Sequence, residues 1–243
     1  MPINDAQPVS RPHAARRLRR AETYYLIALP LFATLAVFAY LYPYFSFDLA
    51  TTRFLQTFDS PLLLNLMRAV SAPGNGITPH ALTALTIILF LLRRRRTEAA
   101  GLLLAAGGSA VLNSIIKLVI HRPRPAAALV TLFDTPGSLS FPSGHVTFYV
   151  CYFGFLFFAA YAILPRATLL RRTALTLAAI PVLLVGVSRI YLGAHWFSDT
   201  LGAYLWSGVW LGFSLEMYRR WKARATFHSE SNLERKSATN EHE

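Results

Sequence analysis

Charge is what this chain has least of. Of its 243 residues only 15% are Asp, Glu, Lys or Arg, against about a quarter in soluble domains. Hydrophobic residues make up 54%, and mean hydropathy is +0.39. That shortage argues against an ordinary soluble domain and, with the long apolar runs, indicates an integral membrane protein. Cysteine is nearly absent. Cys151 stands alone in an apolar run, so no intramolecular disulfide can form and cysteine usage says nothing of compartment. Acidic residues are few, 12 against 24 Lys and Arg, for a formal net charge of +12. Such a balance can serve nucleic acid. Here, however, the arginines stand beside apolar runs, as in encoded membrane topology, and no nucleic-acid partner is expected. The chain also lacks internal repeats and a clear small-residue cleavage site after its basic start, so its first apolar segment reads as a retained helix.

What is present is a succession of apolar segments, each near the roughly 20 residues that a bilayer core requires. They predict an all-α, polytopic membrane protein with about six transmembrane helices in a bundle: Tyr24 to Tyr44, Gly74 to Leu92, Glu98 to Ile120, Ser143 to Leu164, Ala174 to Tyr191 and Asp199 to Tyr218. Residues 46–73 mix Phe54, Leu62, Leu63, Leu66 and Met67 with Arg53, Asp59 and Arg68, and predict an interfacial amphipathic segment. The expected organisation is a basic cytoplasmic segment over 1–22, the six-helix domain over 23–221, and a disordered polar tail over 222–243. Arginine groups at 16–20, 93–96, 166–172 and 219–224 all fall on one side of six alternating spans. The positive-inside rule makes that side cytoplasmic, with both termini there.

Three polar clusters interrupt the apolar sequence near the opposite face. Lys117 stands in Ile115-Ile116-Lys117-Leu118-Val119, followed by Arg122-Pro123-Arg124-Pro125. Prolines stiffen that segment and remove backbone donors. The plain alternative is a snorkelling lysine and a basic juxtamembrane loop. Pro142-Ser143-Gly144-His145 opens a span, where free N–H groups and the positive helix end suit an anion. The plain alternative there is an ordinary N-cap. In the third cluster, Ser188-Arg189 precede His195 and Asp199, which share a face if helical. A carboxylate on Nδ1–H would leave Nε2 free as nucleophile or base. A capping polar pair is the alternative. His145, His195 and Asp199, with His121 nearby, could in principle ligate zinc, but the surrounding cations repel a divalent ion, so neither a metal nor another cofactor is expected. His13, His80, His228 and His242 have no evident role.

These clusters resemble the type 2 phosphatidic acid phosphatase superfamily, whose three motifs are Lys-x6-Arg-Pro, Pro-Ser-Gly-His and Ser-Arg-x5-His-x3-Asp. They stand here as Lys117…Arg124-Pro125, Pro142 to His145, and Ser188-Arg189…His195…Asp199, with every motif position matched. The resemblance implies a metal-independent enzyme that hydrolyses a phosphomonoester or diphosphate, usually of a lipid. It implies that His195 is the nucleophile and forms a phosphohistidine, that Asp199 orients it, and that His145 protonates the leaving oxygen. It further implies that Lys117, Arg124, Arg189, Ser143 and the Gly144 N–H hold the phosphoryl oxygens. Arg122 is not a motif position and reads as secondary. The implied partners are a lipid phosphate or diphosphate (phosphatidate, phosphatidylglycerol phosphate or undecaprenyl diphosphate) and membrane lipids; nothing calls for a protein partner. A non-catalytic lipid-phosphate binding or transport protein could use the same basic pocket, although binding alone does not need the paired histidines. Vanadium haloperoxidases share the motifs, but most are soluble.

Overall fold

The computed structural model describes residues 11–134, 137 and 139–240, with side chains described between 22 and 225. The ends of the expected terminal segments, 1–10 and 241–243, lie outside it. Among the described residues there are nine α-helices and no strand. They are α1 (Arg11–Leu41), α2 (Ser46–Gln56), α3 (Pro61–Ser71), α4 (Thr78–Leu92), α5 (Arg96–Leu102), α6 (Gly108–Ile120), α7 (Gly144–Ile163), α8 (Leu169–Tyr191) and α9 (Phe197–Asn240). A π-helical turn, Leu103–Gly107, joins α5 to α6 without a break.

Local sequence explains the boundaries. Pro61 opens α3 at a position where its missing N–H costs nothing. The 3-10 turn Ala72–Gly74, with Pro73 inside it, separates α3 from α4. α6 stops at His121, which takes the left-handed conformation (φ 55°) before two prolines that cannot continue a helix. Thr168 caps α8 by accepting the Arg171 N–H at 3.3 Å.

Four helices are long and apolar enough to cross a membrane: Glu22–Leu41, Arg96–Ile120, Gly144–Ile163 and Leu169–Tyr191. A fifth span exists if Pro61–Gly74 and Thr78–Leu92 count together, bent by 55° at their break. The six expected spans are therefore not all of one kind. The second, with α3 before it, has the form of a broken span or a re-entrant loop. α2 is docked, burying Asp48 and Thr52. The sixth, in α9, is helical but falls short in apolarity because it carries Asp199, Thr200, Ser207 and Ser214, all buried within the bundle. Polar groups are tolerated there because α9 faces protein: Tyr24 and Tyr25 of α1 lie over Gly208 and Gly212, a small-xxx-small seam.

Over the segment expected as a polar tail, the chain is described as helix up to Asn240. No Gly or Pro follows Gly212, and the segment is rich in Glu, Lys, Arg and Ala, which are good helix formers.

α7 is the central post. Its Tyr152, Phe155 and Ala159 pack on Leu102, Ala105 and Tyr218, and its Val146, Tyr149 and Val150 pack on Val185 and Ala203. Side chains such as Leu26 (76% exposed) and Leu183 (72%) point outward, as lipid-facing residues do. The ends of the bundle differ. The arginine groups stand where α4 meets α5, where α7 meets α8, and far along α9. Lys117, Gly144, Arg189 and Asp199 stand at the C-terminus of α6, the N-terminus of α7, the C-terminus of α8 and the N-terminus of α9.

Candidate active site

At that second end a cavity of ≈ 630 Å³ is lined by Lys117, Arg124, Gly144, His145, Arg189 and His195. Six of the eight residues singled out in the sequence thus share one space. Its other arm runs between α4 and the π turn, past Thr83, Ala84, Ile87, Leu103 and Ala106. His80, without an evident role in the sequence, lines it too.

Asp199 lies behind the wall, fully buried. Its Oδ2 accepts from the Ser140 hydroxyl and from Trp196 N–H at 2.9 Å, and lies 3.5 Å from His195 Nδ1. Arg124 Nη1 is 3.0 Å from His195 Nε2 and also donates to the Ala194 carbonyl. A guanidinium only donates, so Nε2 must carry the lone pair and Nδ1 the proton. The tautomer that leaves Nε2 available toward the cavity is therefore fixed from both sides. His195 is not on a helix: it occupies the turn between α8 and α9, and its N–H donates to the Arg189 carbonyl at 3.2 Å.

His145 stands in the first turn of α7, with Nε2 2.7 Å from Asn75 Oδ1. Since that amide oxygen only accepts, His145 Nε2 bears hydrogen. The break between α3 and α4 presses on the same ring: a Cβ at Gly74 would stand 2.3 Å from His145 Cδ2. Lys117 Nζ donates to the carbonyls of Leu139 and Ser140. Arg189 Nη1 pairs with Asp134 Oδ2 at 3.0 Å and donates to Ser71 Oγ at 3.1 Å.

Ser143 departs from expectation. It sits at the N-cap of α7, but its hydroxyl is buried, makes no hydrogen bond among the described residues, and does not line the cavity. Ser188 faces α3, donating to the Met67 carbonyl at 2.6 Å. Arg122, read as secondary, is fully buried and donates to Asp199 Oδ1 at 2.7 Å. Asp48, Ser71, Asn75, Asp134 and Ser140 belong to none of the motifs. Of these Asp48 and Asp134 carry a signal in the sequence, each as a lone carboxylate next to apolar residues. Among the described residues no three His, Cys, Asp or Glu converge as metal ligands.

Burial, followed by the charges of Arg124, Lys117 and Arg189, holds the His195 imidazole well below its usual 6.5. Burial and Arg189 lower Arg124 to about 10, which leaves it charged at neutral pH. The sign for stability follows. Below about pH 6.5 an unfolded histidine takes up a proton that folded His195 refuses, so stability is lost as pH falls. The melting temperature should drop between about pH 7 and pH 5, and His195→Asn should drop less; parallel curves would exclude His195 as a source.

The sequence pattern of the PAP2 superfamily matches residues 98–223, the stretch that holds all three clusters. The chain belongs to the PAP2 superfamily, and it is an integral membrane protein. Its particular relatives include phosphatidylglycerophosphatase B of Bacillus subtilis (strain 168), 33% identical over 94 residues. That match takes in 39% of this chain and 45% of the relative, so the two are alike over less than half of the relative's length. The fold is similar to that of the first transmembrane PAP2 type phosphatidylglycerolphosphate phosphatase from Bacillus subtilis, with TM-score 0.68 at 24% identity, covering 82% of this chain and 96% of that one. It is also similar to Aquifex aeolicus LpxE, with TM-score 0.54 at 27% identity, covering 71% and 96%.

Proposed function

We propose that this protein is a membrane phosphatase that hydrolyses a phosphomonoester or diphosphate of a lipid through a phosphohistidine on His195, without a metal. The observation that carries this reading is the lone pair of His195 Nε2, presented to a cavity also lined by Lys117, Arg124 and Arg189. Arg124 leaves Nε2 for a phosphoryl oxygen when substrate enters. The Nε2 pair then attacks phosphorus, the bond to the leaving oxygen breaks, and protonated His145 supplies its proton. The substrate's negative charge offsets the three cations and lets His145 hold that proton. Water next attacks phosphorus, its proton passes to His145, and the N–P bond electrons return to Nε2 with release of phosphate. Asp199 fixes the ring and offsets its transient positive charge. Phosphoryl transfer needs mainly positioning and charge stabilisation, which a cationic cage supplies.

The apolar arm suits the start of a lipid tail, and the similarity to phosphatidylglycerophosphatase B favours a glycerophospholipid phosphate. The arginine groups at the far end favour both termini in the cytoplasm and the site at the extracytoplasmic face. Phosphate release by the purified protein should be measured on phosphatidate, phosphatidylglycerol phosphate and undecaprenyl diphosphate, with and without a chelator. Chelator-insensitive release, inhibited by vanadate and accompanied by an acid-labile phosphoenzyme, is expected. Chelator-sensitive release would overturn the metal-free mechanism, and binding without turnover would instead make the protein a lipid-phosphate carrier.

A further inference from the structure

We infer that Asp48 and Arg122 are positioning residues for the nucleophile, forming with Asp199 a buried charge chain that ends on His195. This rests on the reading of His195 as the attacking group.

The side chains of Asp48, Arg122 and Asp199 are all 0% exposed. They come from α2, from the loop after α6, and from the first turn of α9. Arg122 Nη1 donates to Asp199 Oδ1 at 2.7 Å, and Nη2 donates to Asp48 Oδ2 at 2.9 Å. Its Nε donates to the Pro43 carbonyl at 3.2 Å, and its guanidinium carbon lies 4.8 Å from the centre of the Phe45 ring. Ser198 locks the pair: its hydroxyl accepts from Arg122 at 2.7 Å and donates to Asp48 at 2.7 Å, and its N–H donates to Asp48 Oδ1 at 2.8 Å. Asp48 also accepts the Phe45 N–H at 3.1 Å.

Charge counting gives the chain its purpose. Asp199 with Arg122 alone would form a neutral pair, leaving little field at His195. Asp48 restores one net negative charge to the group. Asp199 presents that charge to the imidazole that becomes cationic on phosphorylation. Arg122 also leaves Asp199 no freedom to rotate, because each carboxylate oxygen is engaged. A buried arginine between two carboxylates is a poor device for stability alone, since apolar side chains of like volume often serve as well or better. None of Asp48, Arg122 or Ser198 lines the cavity, so none reaches substrate.

The test uses the full-length protein in detergent with phosphatidate, following phosphate release at steady state, phosphoenzyme formation in a single turnover, and melting temperature. Asp48→Asn should lower kcat roughly tenfold while KM stays within about twofold. Ser198→Ala is a gentler variant that keeps the test open if Asp48→Asn does not fold, and it should lower kcat roughly threefold. In an Asp199→Asn background neither change should slow phosphoenzyme formation further, because the link to His195 is already cut. Unchanged kcat in folded Asp48→Asn or Ser198→Ala would overturn the inference, as would an equal fold loss in both backgrounds, which marks a merely structural role. Full activity of Asp199→Asn by itself would overturn the underlying reading of His195 as well.

Discussion

His195→Ala should lower phosphate release by roughly a thousandfold or more while the protein still inserts and folds. The loss is large because the groups that immediately surround His195 are unsuited to this role. Arg124, Lys117 and Arg189 are cations, and His145 presents Nε2 as a donor to Asn75 Oδ1. On the proposed mechanism, removal of the ring leaves the cationic cage in place, so substrate affinity should change little. Folding should survive. The ring borders a cavity of ≈ 630 Å³, so its deletion enlarges an open space without creating a sealed void, and the melting temperature should stay within about 5 °C. Arg124 keeps its bond to the Ala194 carbonyl. The opening left beside Asp199 is the size of the lost side chain, so added imidazole should restore part of the activity. Phosphate release at the parental rate in His195→Ala would end the phosphohistidine mechanism, whatever the other residues do.

Much of this site is legible in the sequence because its chemistry is costly in a membrane. Lys117, Arg124, Arg189 and Asp199 stand out against apolar neighbours, and the three motifs alone single them out. The four come from separate helix ends and a loop, yet they meet at one end of the bundle. What is not legible has two physical sources. Motif membership misranks polar residues that act through others. Arg122 falls outside the motifs although it holds Asp199, while Ser143 falls inside one although its buried hydroxyl does not face the cavity. Hydropathy, for its part, reads composition and not partners. α9 lacks a sufficiently apolar window because it buries polar residues within the bundle, and Pro61–Gly74 and Thr78–Leu92 form a pair bent by 55° at a break where Asn75 and Gly74 turn toward His145. No periodicity marks Ser71 or Asn75, whose roles depend on that break. The helical continuation of α9 to Asn240 goes with a helix-forming composition, which hydropathy alone does not read.

Gly193→Ala should be the most damaging substitution outside the charged residues and the cavity histidines. Gly193 holds φ +67°, a conformation that strains any L side chain. Strain alone is tolerable to the fold, at about 1 kcal/mol. Contact adds the rest. A Cβ at Gly193 would stand 2.3 Å from the Thr131 carbonyl oxygen, a backbone atom that cannot rotate away. Thr131 is also pinned. Gln56 donates to its carbonyl at 2.8 Å and accepts its N–H at 3.0 Å, and the next turn is tied by Phe133 N–H to the Leu192 carbonyl at 3.1 Å. The turn itself must therefore yield, and it carries both Ala194, whose carbonyl holds Arg124, and His195. A displacement of about 1 Å at a reacting group can cost roughly a hundredfold in rate, which is the loss expected in kcat here. Gly76→Ala separates the two causes in a melting experiment. Gly76 also holds a positive φ, +53°, but a Cβ there meets nothing within 4 Å. It should show the strain cost alone, a shift of a few degrees at most, whereas Gly193→Ala should melt distinctly lower and lose activity even where it is folded. Equal melting shifts for the two glycines, with kcat of Gly193→Ala unaltered, would mean that the Thr131 segment moves aside freely and does not hold the turn that positions His195.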